Sequence, residues 1–264
     1  MSAARAFPVL TGAALALALC FLVLPIVAIF VDVPPRDLVG ALGDPVATEA
    51  LRLSIETTAI ALAAIVVVGT PAAWLLATRR FPGREVLVTL VELPLLVPPA
   101  VAGIGLLAAL GPRGLLGGAL SALHVQLVLQ TAGVVVALAF VASPFYVRQA
   151  QAGFAALDTT LLDASRTLGA SEARTFARVA VPGAARALGA GAALAWGRAL
   201  GEFGATLMFA GSFRGVTQTA PLAIYERFAV DFPAALALSA VLVAAGAAIL
   251  LATKLALRRT DALR

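Results

Sequence analysis

The sequence predicts an all-α polytopic membrane protein of about six transmembrane helices, with both termini on the cytoplasmic side. Three observations carry this. Of 264 residues, 61% are hydrophobic and only 12% are charged, whereas a soluble domain carries about a quarter charged residues. Mean hydropathy is +1.01. Six stretches also reach the roughly 20 apolar residues that cross a hydrocarbon core, at about residues 9–31, 53–77, 86–110, 127–147, 187–210 and 233–256. The chain reads as one transmembrane domain, 1–264, containing one long cytoplasmic loop at 148–185.

The first stretch follows Arg5 and is longer than the core of a secretory signal. Its end, "VAIFVDVPP", offers no small-x-small cleavage site, so a retained helix is expected. Cys20 lies within it and, as the only cysteine, excludes an intrachain disulfide. Orientation follows from the basic residues. The N-terminus, the second loop (Arg79, Arg80, Arg84), the fourth loop (Arg148, Arg166, Arg174, Arg178, Arg186) and the C-terminus (Lys254, Arg258, Arg259, Arg264) hold most of the 19. The alternate segments hold fewer, and 32–49 is acidic on balance. A net charge of +5 distributed this way sets topology and does not suggest nucleic acid.

The third stretch opens "VELPLLVPPAVAGIGLL", with Pro94, Pro98 and Pro99 inside it. Proline removes backbone donors, which a membrane tolerates only where protein or a water-lined cavity satisfies the freed carbonyls. Two readings stand: a bent packing helix, or a helix lining a pathway beside Glu92 and Pro98. In the fifth stretch Gly189, Ala193, Gly197, Gly201 and Ala205 recur every fourth residue, a ladder on which another helix can pack closely.

The same stretch holds an unusual pair, Arg198 and Glu202, within "GRALGEFGATLMFAG". Counted from Arg186 they lie roughly 18 Å and 24 Å along a helix, deep in a core about 30 Å thick. Four positions apart, they share a face and neutralise one another, which turns that face into the bundle. The pair, or either residue with Glu92, is a packing strut or a gate that breaks and re-forms. Gly201 and Thr206 flank it.

The fourth loop is polar, arginine-rich and helical in pattern. Leu157, Leu161, Leu162, Ala164, Ser165 and Leu168 form one amphipathic stripe, Gly169 ends it, and 172–179 begins another before Pro182. The pair reads as a docking element or as surface helices that touch only lipid headgroups.

Catalytic chemistry is missing. His124 is the only histidine, and no metal-spaced Cys/His/carboxylate cluster, nucleophile elbow or catalytic carboxylate pair is present. The sole lysine, Lys254, follows Thr253, so no G-x-x-x-x-G-K-S/T loop exists. If the protein works by ATP, another chain must bind it, and a membrane-embedded enzyme has almost no support.

"DASRTLGASEARTFARVAVP" resembles the cytoplasmic signature of ABC-importer permeases: E-A-A, three residues, Gly, nine residues, Ile-x-Leu-Pro. Asp163, Ala164 and Ser165 take the first places, Gly169 the turn, and Val179, Val181 and Pro182 the end; Asp, Ser and two Val are conservative departures. With "ATRRFPGRE", "ELPLLVPPAVAG", "GPRGLLG", "RALGEFGATLMFAG" and "TQTAPLAIY", about residues 50–256 are similar to the permease subunit of molybdate ABC transporters, a branch close to the sulfate permeases. Ser212, where that branch often has Asn, and Ala220, where Leu is common, depart from it.

The resemblance implies a type I importer permease fold in the bacterial cytoplasmic (inner) membrane. It implies a homodimer of permeases, two cytoplasmic ATPase subunits carrying ATP and Mg, and an extracytoplasmic binding protein that delivers an oxyanion. That anion is molybdate, with tungstate and sulfate as close variants, and this chain binds no cofactor. The coupling residues it implies are Asp163, Ala164, Ser165, Arg166, Gly169, Ala170, Val179, Val181 and Pro182, with Arg174 and Arg178 either anchoring the edges or setting topology. A pathway should hold the anion weakly through hydroxyls and backbone donors. Thr206 with Ser212, Thr217, Gln218 and Thr219 suit that, the last four suiting contact with the binding protein equally. The competing expectation is an autonomous secondary transporter or channel using Arg198, Glu202 and Glu92 as ion-coupled groups.

Overall fold

The computed structural model describes residues 3–261, which are helical with connecting turns and contain no strand. Arg264 lies outside the described residues, as do the side chains of Arg5, Lys254, Arg258 and Arg259.

Helix α1 (Ala3–Val31) is apolar on every side, so it has no stripe with which to enter a core. Its described side chains are exposed except the half-buried Ile29, which with Val33 just beyond the helix joins Ala237 and Ala240 of the last helix. Helix α2 (Pro35–Gly43) starts on proline. Asp44 ends it and caps α3 (Pro45–Thr78), accepting from the Val46 amide at 2.9 Å. At 34 residues α3 is about 51 Å long, well beyond the hydrocarbon thickness. Its small and hydroxyl side chains, Ala50, Ser54, Thr58, Ala61 and Ala73, form the buried face.

The expected third span is not one helix. Helix α4 (Arg84–Leu96) stops at Val97 and α5 (Pro99–Leu110) leaves at 117° to it. Pro98 and Pro99 lack the amides that would bond back into α4, which explains where the break falls. After the short α6 (Gly117–Ala122), α7 (Thr131–Ala155) forms the centre of the bundle and packs on α3, α4 and α5. It runs past residue 147, so Arg148 is helical.

The long loop folds as α8 (Thr159–Thr167), α9 (Glu172–Thr175), a π-helical turn (Phe176–Ala180) and α10 (Val181–Gly183). Helix α11 (Ala185–Leu200) then turns by 73° from α9–α10 and packs along α7. The fifth span breaks again before α12 (Gly204–Ala210). Helices α13 (Ala220–Phe228) and α14 (Phe232–Asp261) complete the chain. Among the described residues four helices are long and apolar enough to cross a membrane, or up to six if each bent pair is one span.

The small-residue ladder is displaced from its expected face. Gly197 and Gly201 are exposed, while Gly191, Ala195 and Ala199 are buried. A Cβ on Gly191 would stand 3.0 Å from the Gln149 Cβ and 3.2 Å from the Tyr146 carbonyl, so this is the line on which α11 approaches α7. Of the ladder only Ala205, beyond the break, is fully buried. Within α11 the buried line runs two residues out of step with the ladder, and the break separates Ala205 from the rest of it.

Candidate functional site: a clamped loop, two facing helix breaks and a carboxylate at the far end

At the long-loop end, Gly169 holds φ +80. The Gly169 amide donates to the Arg166 carbonyl and the Ala170 amide to the Ser165 carbonyl, a Schellman turn that closes α8 and requires the left-handed residue at 169. Asp158 caps α8 through the Thr160 amide at 2.9 Å, and hydrogen bonding from the Thr160 side chain, then from that amide, holds its carboxyl below the usual value. Ser171 caps α9. Arg166 bonds Glu172 at 2.9 Å and Asp163 at 3.0 Å, and these partners, Glu172 first, push its pKa up. Ser165 and Thr175 share a hydrogen bond of 3.0 Å. The two arms of the loop are therefore clamped together.

Two further contacts tie the clamp to the bundle. Glu172 reaches Arg79 at the end of α3, 3.5 Å away. Phe176 packs against Trp74 of α3 and Phe154 of α7, with centroids 5.7 Å and 6.2 Å distant. Pro182 has no amide hydrogen to bond the Arg178 carbonyl, and the chain widens into a π turn in which the Val181 amide reaches the Phe176 carbonyl. Val179 and Val181 lean on the core. The loop faces outward with Leu161, Ala164, Leu168 and Gly169; Leu168 is 87% exposed. Arg174 and Arg178 are exposed with no ion-pair partner among the described residues. Arg166, by contrast, is spent inside the clamp.

In mid-bundle the Arg198–Glu202 contact forms as expected, at 2.6 Å, although the helix assumed to carry it ends at Leu200. Glu202 is 1% exposed. Its second oxygen accepts the Ala205 amide at 2.7 Å, so one carboxylate pairs with the end of α11 and satisfies an open donor in the first turn of α12. Glu92 is not a partner of either; it pairs with Arg148 on α7.

This break lies against the other one. A Cβ on Gly204 would be 3.1 Å from the Pro99 Cβ and from the Ala100 amide nitrogen, and one on Gly103 would be 2.6 Å from the Ala205 carbonyl. The start of α12 is thus pressed on the start of α5. Of the six predicted pathway residues, Pro98, Glu202 and Thr206 are brought to this crossing, Arg198 and Gly201 to its edge, and Glu92 elsewhere. The Thr206 hydroxyl is buried there without a hydrogen-bond partner among the described residues.

At the far end, Ser212 and Gln218 do converge, but on a residue that was not predicted. Both donate to Glu226 of α13, the Gln218 bond measuring 2.6 Å. Thr217 accepts the Phe213 amide at 2.9 Å and so builds the turn. The Thr219 hydroxyl is buried and unpartnered among the described residues. Arg214–Glu49, at 2.8 Å, and Arg227–Asp44 tie this loop to the start of α3. Although partial burial raises it, the Asp44 pKa is held below its ordinary value by the Val46 amide and Arg227. Because Asp44 and Arg79 bound α3, these ties and Arg79–Glu172 place the alternate loops at opposite ends of one long helix.

Sequence reasoning missed Glu226, the Arg79–Glu172 link and the Trp74–Phe154–Phe176 cluster. It also missed the buried hydroxyls of α3, where Ser54 accepts the Ala220 amide at 2.7 Å and Thr58 accepts the Trp196 indole at 3.2 Å. Threonines and serines recurring at helical spacing through 54–58 were the available signal for the last.

Residues 65–262 match the family described as the binding-protein-dependent transport system inner membrane component. The chain is 40% identical over 233 residues to the molybdenum transport system permease protein ModB of Mycobacterium tuberculosis, covering 88% of each. It is 38% identical over 180 residues to the sulfate transport system permease protein CysT of Escherichia coli, covering 68% of this chain and 65% of that one. Among solved structures, a chain of a bacterial ABC transporter that imports the acidic polysaccharide alginate superposes with a TM-score of 0.76 at 15% identity, over 97% of this chain and 96% of that one. This last likeness speaks for the fold.

Proposed function

Since the chain belongs to the family of binding-protein-dependent transport system inner membrane components, and within it to the ABC importer permeases of the molybdate and sulfate group, we propose that it carries molybdate into a bacterial cell. The proposed assembly is a homodimer in the inner membrane with both termini cytoplasmic. Two ATPase subunits hold ATP and Mg beneath it, and a binding protein delivers the anion from above. The observation that carries the coupling part is the clamp at 158–182. Its exposed Leu161, Ala164, Leu168 and Gly169 offer a small-residue and apolar surface to an ATPase groove, while Glu172–Arg79 and Phe176–Trp74 give a push on that surface two routes into α3. Rigid-body movement of the ATPases would be passed through α11 to the crossing of the two broken helices.

The choice of molybdate rests on the likeness to ModB, which spans more of this chain than the likeness to CysT. Neutral donors and weak contacts along the route suit a doubly charged tetrahedral oxyanion that must leave again. Labelled molybdate uptake by membranes holding the chain, its ATPase and its binding protein tests this. Uptake should require all three and ATP, and excess unlabelled sulfate should compete poorly. Equal competition by sulfate would move the substrate to the sulfate side. Uptake by the chain alone, driven by an ion gradient, would overturn the importer reading.

A further inference from the structure

A cavity of about 610 Å³ meets the transport reading only at Arg79. It lies in the turn between α3 and α4 and is lined by Thr78, Arg79, Arg80, Phe81, Gly83 and Arg84 with their neighbours. Gly83, at φ +85, makes the turn that brings the two helices to one edge. The three arginines are held differently. Arg84 donates to the Leu76 carbonyl at 2.7 Å and pairs with Glu85, and Arg79 reaches Glu172. Arg80 is exposed and has neither an ion pair nor a side-chain hydrogen bond among the described residues. Three guanidinium groups against Glu85 leave the lining net positive.

Both helices carry exposed apolar side chains away from this turn: Leu75 on α3, and Val86, Leu87 and Leu90 on α4, with Val86 itself in the lining. An arginine that only fixes topology needs neither a cavity nor apolar walls beside it. A small soluble anion would use the first and leave the second in place without purpose. A phospholipid uses both, since its phosphate meets the cations while its chains run down the walls. We propose that this cavity seats the phosphate headgroup of an anionic phospholipid in the leaflet on the long-loop side. Through Arg79–Glu172, the bound lipid would brace the turn against the loop clamp.

The test uses the full chain in phosphatidylcholine nanodiscs, with phosphatidylglycerol titrated in and thermal midpoint and retained lipid both measured. Phosphatidylglycerol should raise the midpoint of the natural chain. Arg80→Gln should leave the midpoint in pure phosphatidylcholine unchanged and require about fivefold more phosphatidylglycerol for the same rise, the loss of one arginine near a lipid surface. Arg80→Lys should restore most of the response. Arg36→Gln, which removes another exposed charge at the far end, should leave it intact. An undiminished response in Arg80→Gln, or none in the natural chain, would overturn the site. An equal rise with inorganic phosphate in place of the lipid would overturn the lipid assignment.

Discussion

The two helix breaks at the middle of the bundle are made by opposite means. Between α4 and α5 the backbone itself is interrupted by Pro98 and Pro99, and the axis turns by 117°. Between α11 and α12 no proline intervenes; the turn at 201–203 is held by one buried carboxylate that bonds Arg198 before it and the Ala205 amide after it. A proline break is fixed in the covalent structure. A carboxylate break depends on an ion pair and a hydrogen bond, both of which can be exchanged. The comparison locates the adjustable element: α12 can reset against α5, whereas α5 keeps its own bend.

The largest effect should come from unpairing the carboxylate break. Glu202→Ala leaves Arg198 without its partner and the first turn of α12 unsatisfied, and should cost roughly 3–5 kcal/mol as for other broken buried pairs, read as a lower thermal midpoint of the purified complex. Glu202→Gln keeps an acceptor for Ala205 and loses the charge. It should lose much less stability while lowering the anions moved per ATP hydrolysed. If Gln and Ala are equally destabilising and coupling stays intact, the pair is a packing strut and nothing more.

Next in size is the contact between the breaks. Gly103→Ala would put a Cβ 2.6 Å from the Ala205 carbonyl and 2.7 Å from the Met208 Cβ, and should cost about 1–3 kcal/mol by overpacking. Gly197→Ala meets nothing within 4 Å in the single chain and should be neutral or gain up to about 1 kcal/mol as a helix-interior replacement. A loss at Gly197 in the assembled complex, absent from the isolated chain, would show the open ladder to be a face on which another subunit packs.

The smallest effect lies away from both breaks, at Asp44. Its carboxyl titrates below its ordinary value in the folded chain, so its contribution is fully present above that ordinary value and is lost as pH falls through the lowered one. Asp44→Asn keeps an acceptor for the Val46 amide but loses the charge that faces Arg227, and should remove up to about 1 kcal/mol of ion pair near neutrality. It should also flatten the stability profile on the acid side of about pH 4, where natural chain and variant converge. A constant difference down through that range would show that Asp44 is not the titrating group.

Much of this architecture was legible in advance. Apolar length located the four long apolar helices and the two bent pairs, because hydrocarbon thickness leaves little choice, and Pro98–Pro99 marked the first break. The spacing of Asp163, Gly169 and Pro182 marked the turn at Gly169, although α7 runs to Ala155, past the expected start of the loop at 148. What stayed hidden depended on partners distant in sequence. Glu202 was correctly paired with Arg198, but the acceptor role that ends α11 belongs to a backbone amide in the next helix. The ladder was read on one face of a continuous helix, and the break divided it between two. Glu226 carries no local signal, since an exposed glutamate becomes informative only when Ser212 and Gln218 are folded onto it.

The central claim, that a separate ATPase drives this permease through the clamped loop, is tested most directly at Gly169. In proteoliposomes holding the assembled complex and binding protein, Gly169→Asp puts a side chain at φ +80 and a charge on the exposed loop surface. ATPase subunits should no longer co-purify, or no longer respond to loaded binding protein, and ATP-dependent molybdate uptake should be lost while the permease stays folded. A complex that assembles, hydrolyses ATP on demand and transports at the natural rate would contradict that claim.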